Sequence, residues 1–306
     1  MKPMYLILLM IAALSFSNLN AQFVQKILFK SENSYQDKFI IDNGLEEIFA
    51  LSQNHFVNDD GLTFNKKLME TSMDRIIPNK SQSGFASLDW EGYPYDVIRG
   101  VKGVDADDPK NIAFLNAFIA ALNYAKFLRP NMKWCYYSMP PVSYSKYKEG
   151  NLEWVERCMP LLRAVDFLNP SLFLFYDGLD VDGMFVSQNI DAKIRYALEL
   201  GKKLNKPVYP DVWQRYHPRS QTNGNKLIEV STFTEFIRKV LNTENLNNRV
   251  NGISWWHCIG YLYRNQAGDP VLEAEFANVT NLGVYQIDLF QKYLDSLKPL
   301  FNYYNK

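Results

Sequence analysis

Short apolar or β-branched runs alternate with longer stretches of helical periodicity along most of this chain. Residues 23–29 (FVQKILF) read as a strand. So do Gly84 to Glu91 (GFASLDWE), Lys133 to Met139 (KWCYYSM), Ser171 to Tyr176 (SLFLFY), Pro207 to Trp213 (PVYPDVW) and Val250 to His257 (VNGISWWH). Helical spacing of apolar residues marks helices over Pro109 to Phe127, Leu152 to Val165, Ile190 to Leu204, Phe233 to Leu241 and Tyr285 to Leu297. The first of these opens at Asp108-Pro109, a strong N-terminal signal. Strands separated by helices pair in parallel through crossovers, so the pattern predicts an α/β fold. No glycine-rich phosphate loop follows the first strand, which argues against an open doubly wound sheet. The expected architecture is a distorted β/α barrel of the TIM type, with its seventh and eighth strands not visible in the pattern. No repeat or low-complexity tract divides the chain, and residues 22–306 read as one domain.

The first residues depart from this alternation. Lys2 precedes an unbroken apolar run from Tyr5 to Phe16, and Ala21 stands just before Gln22. The run is too short to span a bilayer and has the length of a signal-peptide core. Residues 1–21 are therefore expected to be a cleaved signal peptide, and the mature protein secreted or periplasmic. No later run reads as a membrane span.

Charge narrows the partners. Lys plus Arg and Asp plus Glu are 33 each, so no overall field points to nucleic acid or a membrane surface. Cys135, Cys158 and Cys258 are odd in number and widely spaced, and His55, His217 and His257 are scattered. Neither set suggests a disulfide framework or a metal site, and no cofactor motif appears. A cation loop on Asp180 and Asp182 would be incomplete. The aromatic share is 15%, with 19 Tyr and 6 Trp. Rings with an apolar face and a polar edge serve core packing first and sugar stacking second.

The candidate chemistry lies where strands end. In Leu88-Asp89-Trp90-Glu91 the two acids are two residues apart, so on a strand they share one face. Barrel enzymes place their sites at this C-terminal rim. Two acids whose Cα atoms lie about 7 Å apart, at roughly 3.3 Å of rise per residue, cannot both ionise easily when shielded from water. One then keeps its proton near neutral pH, as cleavage of a glycosidic bond requires. Tyrosines and tryptophans crowd the other strand ends, in WCYYSMP, PVYPDVWQRY and GISWWH. With Trp90 between the two acids, four strand ends carry aromatics, which favours a carbohydrate cleft.

These segments resemble, in order, those of the hyaluronidase family of glycoside hydrolases. GFASLDWEGYPY is similar to the family's catalytic strand, and WCYYSMPPVSY to its Trp-Gly-aromatic-Tyr-x-x-Pro segment. NPSLFLF is similar to its Tyr-Pro-Ser-x-Tyr segment, and residues 184–216 to a helix leading into a Pro-Val strand. NGISWW matches its closing strand, so the resemblance runs from about Gly84 to Trp256. It implies a distorted barrel and a retaining, substrate-assisted mechanism. Glu91 would be acid and then base, the substrate's N-acetyl oxygen the nucleophile, and Asp89 the group that holds the acetamide. Tyr216 and Trp256 would line the sugar pocket, with Tyr137, Tyr176 and Trp255 as further substrate contacts. The implied substrate is a glycosaminoglycan-like polysaccharide containing N-acetylhexosamine. Three departures bear on that substrate. Phe173 stands where the family has an active-site tyrosine, so Tyr137 or Tyr176 would have to supply a hydroxyl. An arginine shortly after the catalytic Glu is missing. The family's paired cysteines and C-terminal module are absent too. Lys102, Arg99, Arg215 and Arg219 are the candidate cations for a polyanion. Hydrolysis of another glycan, or binding without turnover, are the alternatives.

Overall fold

The computed structural model describes residues 25–31, 33–101, 108–141, 153–176 and 181–304. The expected signal segment, Lys102 and Asp180 lie outside them. Strands β1 (Lys26–Lys30), β2 (Glu46–Ser52), β3 (Gly84–Asp89), β4 (Met132–Tyr136), β5 (Asp211–Val212) and, beyond a small hairpin of β6 (Glu244–Asn245) and β7 (Asn248–Arg249), β8 (Gly252–Trp255) make up the sheets. Six of them pair in parallel in the order β4-β3-β2-β1-β8-β5.

Residues 166–172 close this sheet into a ring. On one side Asp166 N–H donates to Trp134 O at 2.7 Å, and Asn169 and Met139 exchange bonds of 2.8 and 3.1 Å. On the other, Leu168 N–H donates to Pro207 O and Tyr209 N–H to Leu168 O, both at 2.9 Å. Among the described residues the barrel thus has seven staves, one of them held by isolated bridges, one of which is antiparallel. That is the distortion. The expected strand at 171–176 is displaced towards the N-terminus, and β2 was not anticipated.

Alternation along each stave sorts the side chains. Leu28, Ile48, Phe85, Cys135, Phe167 and Tyr209 form one buried cluster inside the barrel. The rings of Phe85, Phe167 and Tyr209 meet edge to face at 5.4–5.8 Å, an attractive geometry. Gly252 has φ 143°, and a Cβ there would lie 1.9 Å from Lys26 O, so only glycine lets β8 lie against β1. Outward residues such as Phe29, Leu51, Leu88, Trp134 and Ile253 pack beneath the helices.

Helix Pro109–Leu128 starts where the Asp108 side chain accepts the Lys110 N–H at 2.8 Å. It is the one described helix long and apolar enough to cross a bilayer, although no later run was expected to read as a span. Here Phe118, Ala121, Leu122 and Ala125 are buried, and Trp90 stacks on Phe118 at 4.6 Å. The helix expected at 152–165 is two, Glu153–Arg157 and Met159–Ala164, with Pro160 opening the second. Helices Ser34–Asn43 and Lys66–Ile76 were also not anticipated. Both carry asparagine caps, Asn33 and Asn65.

Candidate active site

Asp89 is the last residue of β3, in register with Ser52 of β2. The chain then turns out of the sheet. Trp90 buries its ring between Phe56 and Phe118 and donates to Gly61 O at 3.1 Å. Gly92 has φ 79°, and helix Tyr93–Ile98 begins. Glu91 therefore stands beyond the strand, not on it as the two-residue spacing implied. Its N–H donates to Gln53 Oε1 at 3.2 Å, and its side chain reaches an open cavity from the loop.

That cavity, about 780 Å³, is also walled by Tyr137, Phe173, Phe175, His217 and Arg219. Tyr137 forms the middle of an aromatic arc. Its ring lies 6.3 Å from Trp256 and 6.0 Å from Phe173, and Phe173 lies 5.6 Å from Trp213. Phe175 stacks on His217 at 4.3 Å. The Lys30 ammonium sits 4.1 Å above the Trp256 ring, within cation–π range.

Burial dominates the electrostatics. It pushes Asp89 up to about 7, the Glu91 and Asp211 charges add to this, and Lys30 opposes it. Asp89 Oδ1 is buried with no hydrogen-bond partner, a costly state for a carboxylate unless something supplies a donor. Glu91 is exposed along the rim, yet its carboxyl is enclosed enough that desolvation raises its pKa. Arg219 and Arg99 pull the other way, and Asp96 pushes it further up. The fully buried Asp211 is a third acid, and no sequence pattern marked it. Burial drives it to about 7 despite hydrogen bonds with Ser254 and Asn169 and the nearby Lys30. Asp89, Asp211, Lys30 and Tyr137 thus share the barrel mouth, with Tyr137 held protonated by its own burial and by the three acids around it.

The remaining sequence candidates divide. Tyr137 lines the cavity and its hydroxyl lies 3.3 Å from Ser171 Oγ, beside Phe173. Trp256 adjoins Tyr137 but is not itself among the residues that line the cavity. Trp255 does not join them: neighbours on a strand face opposite ways, and Trp255 points outward. It is fully buried against Phe29, Phe233 and Phe290 and donates to Gln214 Oε1 at 2.8 Å. It is a core residue, not a substrate contact. Tyr216 is buried and off the cavity wall, and Tyr176 is exposed outside it. Of the two candidates to replace the missing hydroxyl at Phe173, Tyr137 is the one in position. Arg215 is no groove cation, since it is buried in a bidentate pair with Glu275. His257 is buried among Phe29 and Phe290, whereas His217 faces the cavity. Asp182 pairs with Lys239. All three cysteines are free thiols. No cluster of His, Cys, Asp or Glu able to hold a metal occurs among the described residues.

No family model matches this chain, and no curated protein matches it in sequence. Solved structures do. Bee venom hyaluronidase is 16% identical with a TM-score of 0.59, over 90% of this chain and 99% of that one. Bee venom hyaluronidase in complex with a hyaluronic acid tetramer is also 16% identical, with a TM-score of 0.54 over 85% and 97%. At that identity the likeness is one of fold, a distorted β/α barrel spanning nearly the whole chain.

Proposed function

We propose that the protein is a glycoside hydrolase acting within N-acetylhexosamine-containing glycans of the hyaluronan or chondroitin type, outside the cytoplasm. The observation that carries this reading is a pair of desolvated acids, Glu91 on the wall of one aromatic-lined opening and Asp89 buried near enough to feel its charge. Glu91 donates its proton to the glycosidic oxygen as the bond to C1 breaks. The acetamido carbonyl oxygen of the same sugar attacks C1 and forms a cyclic oxazolinium ion. Asp89 accepts the acetamide N–H, which gives its orphaned buried Oδ1 a donor, while Lys30 favours the carboxylate form. Glu91, now ionised, takes a proton from water as the water attacks C1, and the acetamide is restored with retained configuration. Substrate assistance of this kind needs no separate carboxylate nucleophile.

A second reading, hydrolysis of a different glycan, draws on Phe173, which brings no hydroxyl to the cavity wall. One experiment addresses both. The purified protein is incubated with hyaluronan, chondroitin and chitin oligomers between pH 4 and 7, and new reducing ends are counted. Glu91→Gln is expected to lower turnover by about 10²–10⁴, the usual weight of a general acid, with binding retained. Asp89→Asn should also lose turnover. Undiminished cleavage by the Glu91 variant would rule out this mechanism. Cleavage confined to another glycan would select the second reading.

A further inference from the structure

Lys30 ends β1 at the barrel mouth. The pairing of β1 with β8, which sets Phe29 against Trp255, brings Lys30 beside Trp256, and its ammonium lies 4.1 Å above that ring. The π face attracts the charge and holds it there. The backbone is pinned as well, since His257 Nε2 donates to Lys30 O while the His257 ring packs on Phe29 at 4.9 Å. Asp89 and Asp211 feel the ammonium, which favours their ionised forms, and His55 feels it too, which disfavours a second cation. Burial overrides this at Asp211 and keeps it protonated up to about 7. When Asp89 is the carboxylate that receives an acetamide N–H, its charge and that of Lys30 therefore cancel.

An isolated carboxylate is a poor judge of what it receives. A hexosamine without its acetyl group carries an ammonium on the same C2 atom. That ammonium would bind Asp89 about twice as strongly as a neutral amide N–H does. It brings no carbonyl oxygen to attack C1, so it would fill the site without reacting. A fixed cation beside the carboxylate reverses the order. It repels the ammonium and offsets the attraction of Asp89, while an uncharged amide N–H loses little. We infer that Lys30 is a specificity-determining residue, one that admits the N-acetylated hexosamine and turns away its free amine. The inference rests on Asp89 being the acceptor of the acetamide.

The test is calorimetric binding at pH 6, where a sugar amine is charged, to the intact protein carrying Glu91→Gln so that no turnover intervenes. The probes are the chitin tetrasaccharide and the same chain with its acetyl groups removed. Chitin should bind at least about ten-fold more tightly than the free amine. Adding Lys30→Met, which keeps the length of the side chain and removes its charge, should abolish or invert that preference through tighter binding of the amine. Lys30→Arg, which keeps the charge and the ring contact, should hold the preference to within about three-fold. Equal weakening of both probes by Lys30→Met would give Lys30 a structural part only and overturn the inference. So would an unchanged ratio. Equal binding of the two probes with Lys30 in place overturns it without any change at that position. Failure of the underlying reading shows differently. Neither probe then binds, or Asp89→Asn leaves the binding of chitin unchanged, and the inference falls with its premise.

Discussion

The two ends of the barrel interior use the same staves and the same inward face, yet they differ in kind. Towards the N-terminal end, Leu28, Ile48, Phe85, Cys135, Phe167 and Tyr209 plug the lumen with buried apolar groups. One or two inward positions further along, the staves offer Ser87, Asp211, Ser254, Asp89, Lys30 and Tyr137. The plug stabilises by removing apolar surface from water and by close packing. The mouth does the opposite, since burying Asp89 and Asp211 disfavours their charged forms. A site with desolvated acids persists because the plug and the helical shell supply the stability it lacks, the usual relation between a strained site and its scaffold.

The largest effect is expected from breaking the plug. Phe85→Ala removes the ring that meets both Phe167 and Tyr209, and should cost about 3–5 kcal/mol in denaturant unfolding. The loss should be nearly independent of pH, because no titrating group of the mouth belongs to the plug. A loss below about 1 kcal/mol would mean that the lumen collapses onto the gap and is not close-packed.

The converse change at the mouth should be smaller and of opposite sign. Asp211 is pushed up to about 7 in the folded protein, from an ordinary value of 3.8. Between those values the native state holds a proton that the unfolded chain has released. The contribution of Asp211 to stability is therefore fully present below about pH 4 and is lost as pH rises to 7. Asp211→Asn abolishes this fall and keeps an oxygen to accept from Ser254 and Asn169. The variant should be more stable than wild type at pH 7, by on the order of 2–4 kcal/mol, with the gap closing at pH 4. A variant less stable at pH 7 would show that Asp211 is held there as a paired carboxylate, by Lys30.

How much of this was legible in the sequence depended on how local the signal was. Asp89 and Glu91 were visible because both lie within one short motif. The point at which β3 ends was not, since Gly92 and the caging of Trp90 determine it. Strand β2 was hidden because its inward Ile48 and outward Phe49 and Leu51 are all apolar, leaving no alternation to see beside Glu46 and Glu47. Trp255 and Trp256 read as one aromatic pair, but the pleat sends them to opposite sides of the sheet. Asp211 sits between Pro210 and Val212 in a stave held by few hydrogen bonds, and its interior position follows only from its register with Ser171 and Ser254. Arg99 and Arg219 were among the candidate cations and do line the cavity, whereas Arg215 does not and Lys193, on a helix read as packing, was missed.

The smallest effect, and the one that links the mouth to Arg219 and Arg99, concerns the proton of Glu91. Desolvation raises its pKa, and Arg219 and Arg99 hold that rise back. Removing the Arg219 charge weakens the restraint, so Glu91 keeps its proton to higher pH. As general acid it donates only while protonated, and activity falls as pH rises through its pKa. The alkaline limb of kcat/KM, which reports the free enzyme, should therefore move to higher pH in Arg219→Gln. A neutral chitin oligomer is the substrate to use, because it brings no charge of its own beside Glu91. Asp96→Asn should move the limb the other way, since the Asp96 charge raises Glu91. Both shifts should be modest and should shrink in high salt, because the Glu91 rim is open to solvent and screening is effective there. Opposite displacements by the two variants would identify Glu91 as the titrating acid. A limb that stays put in both would place that proton on another residue, with Asp89 the nearest to hand.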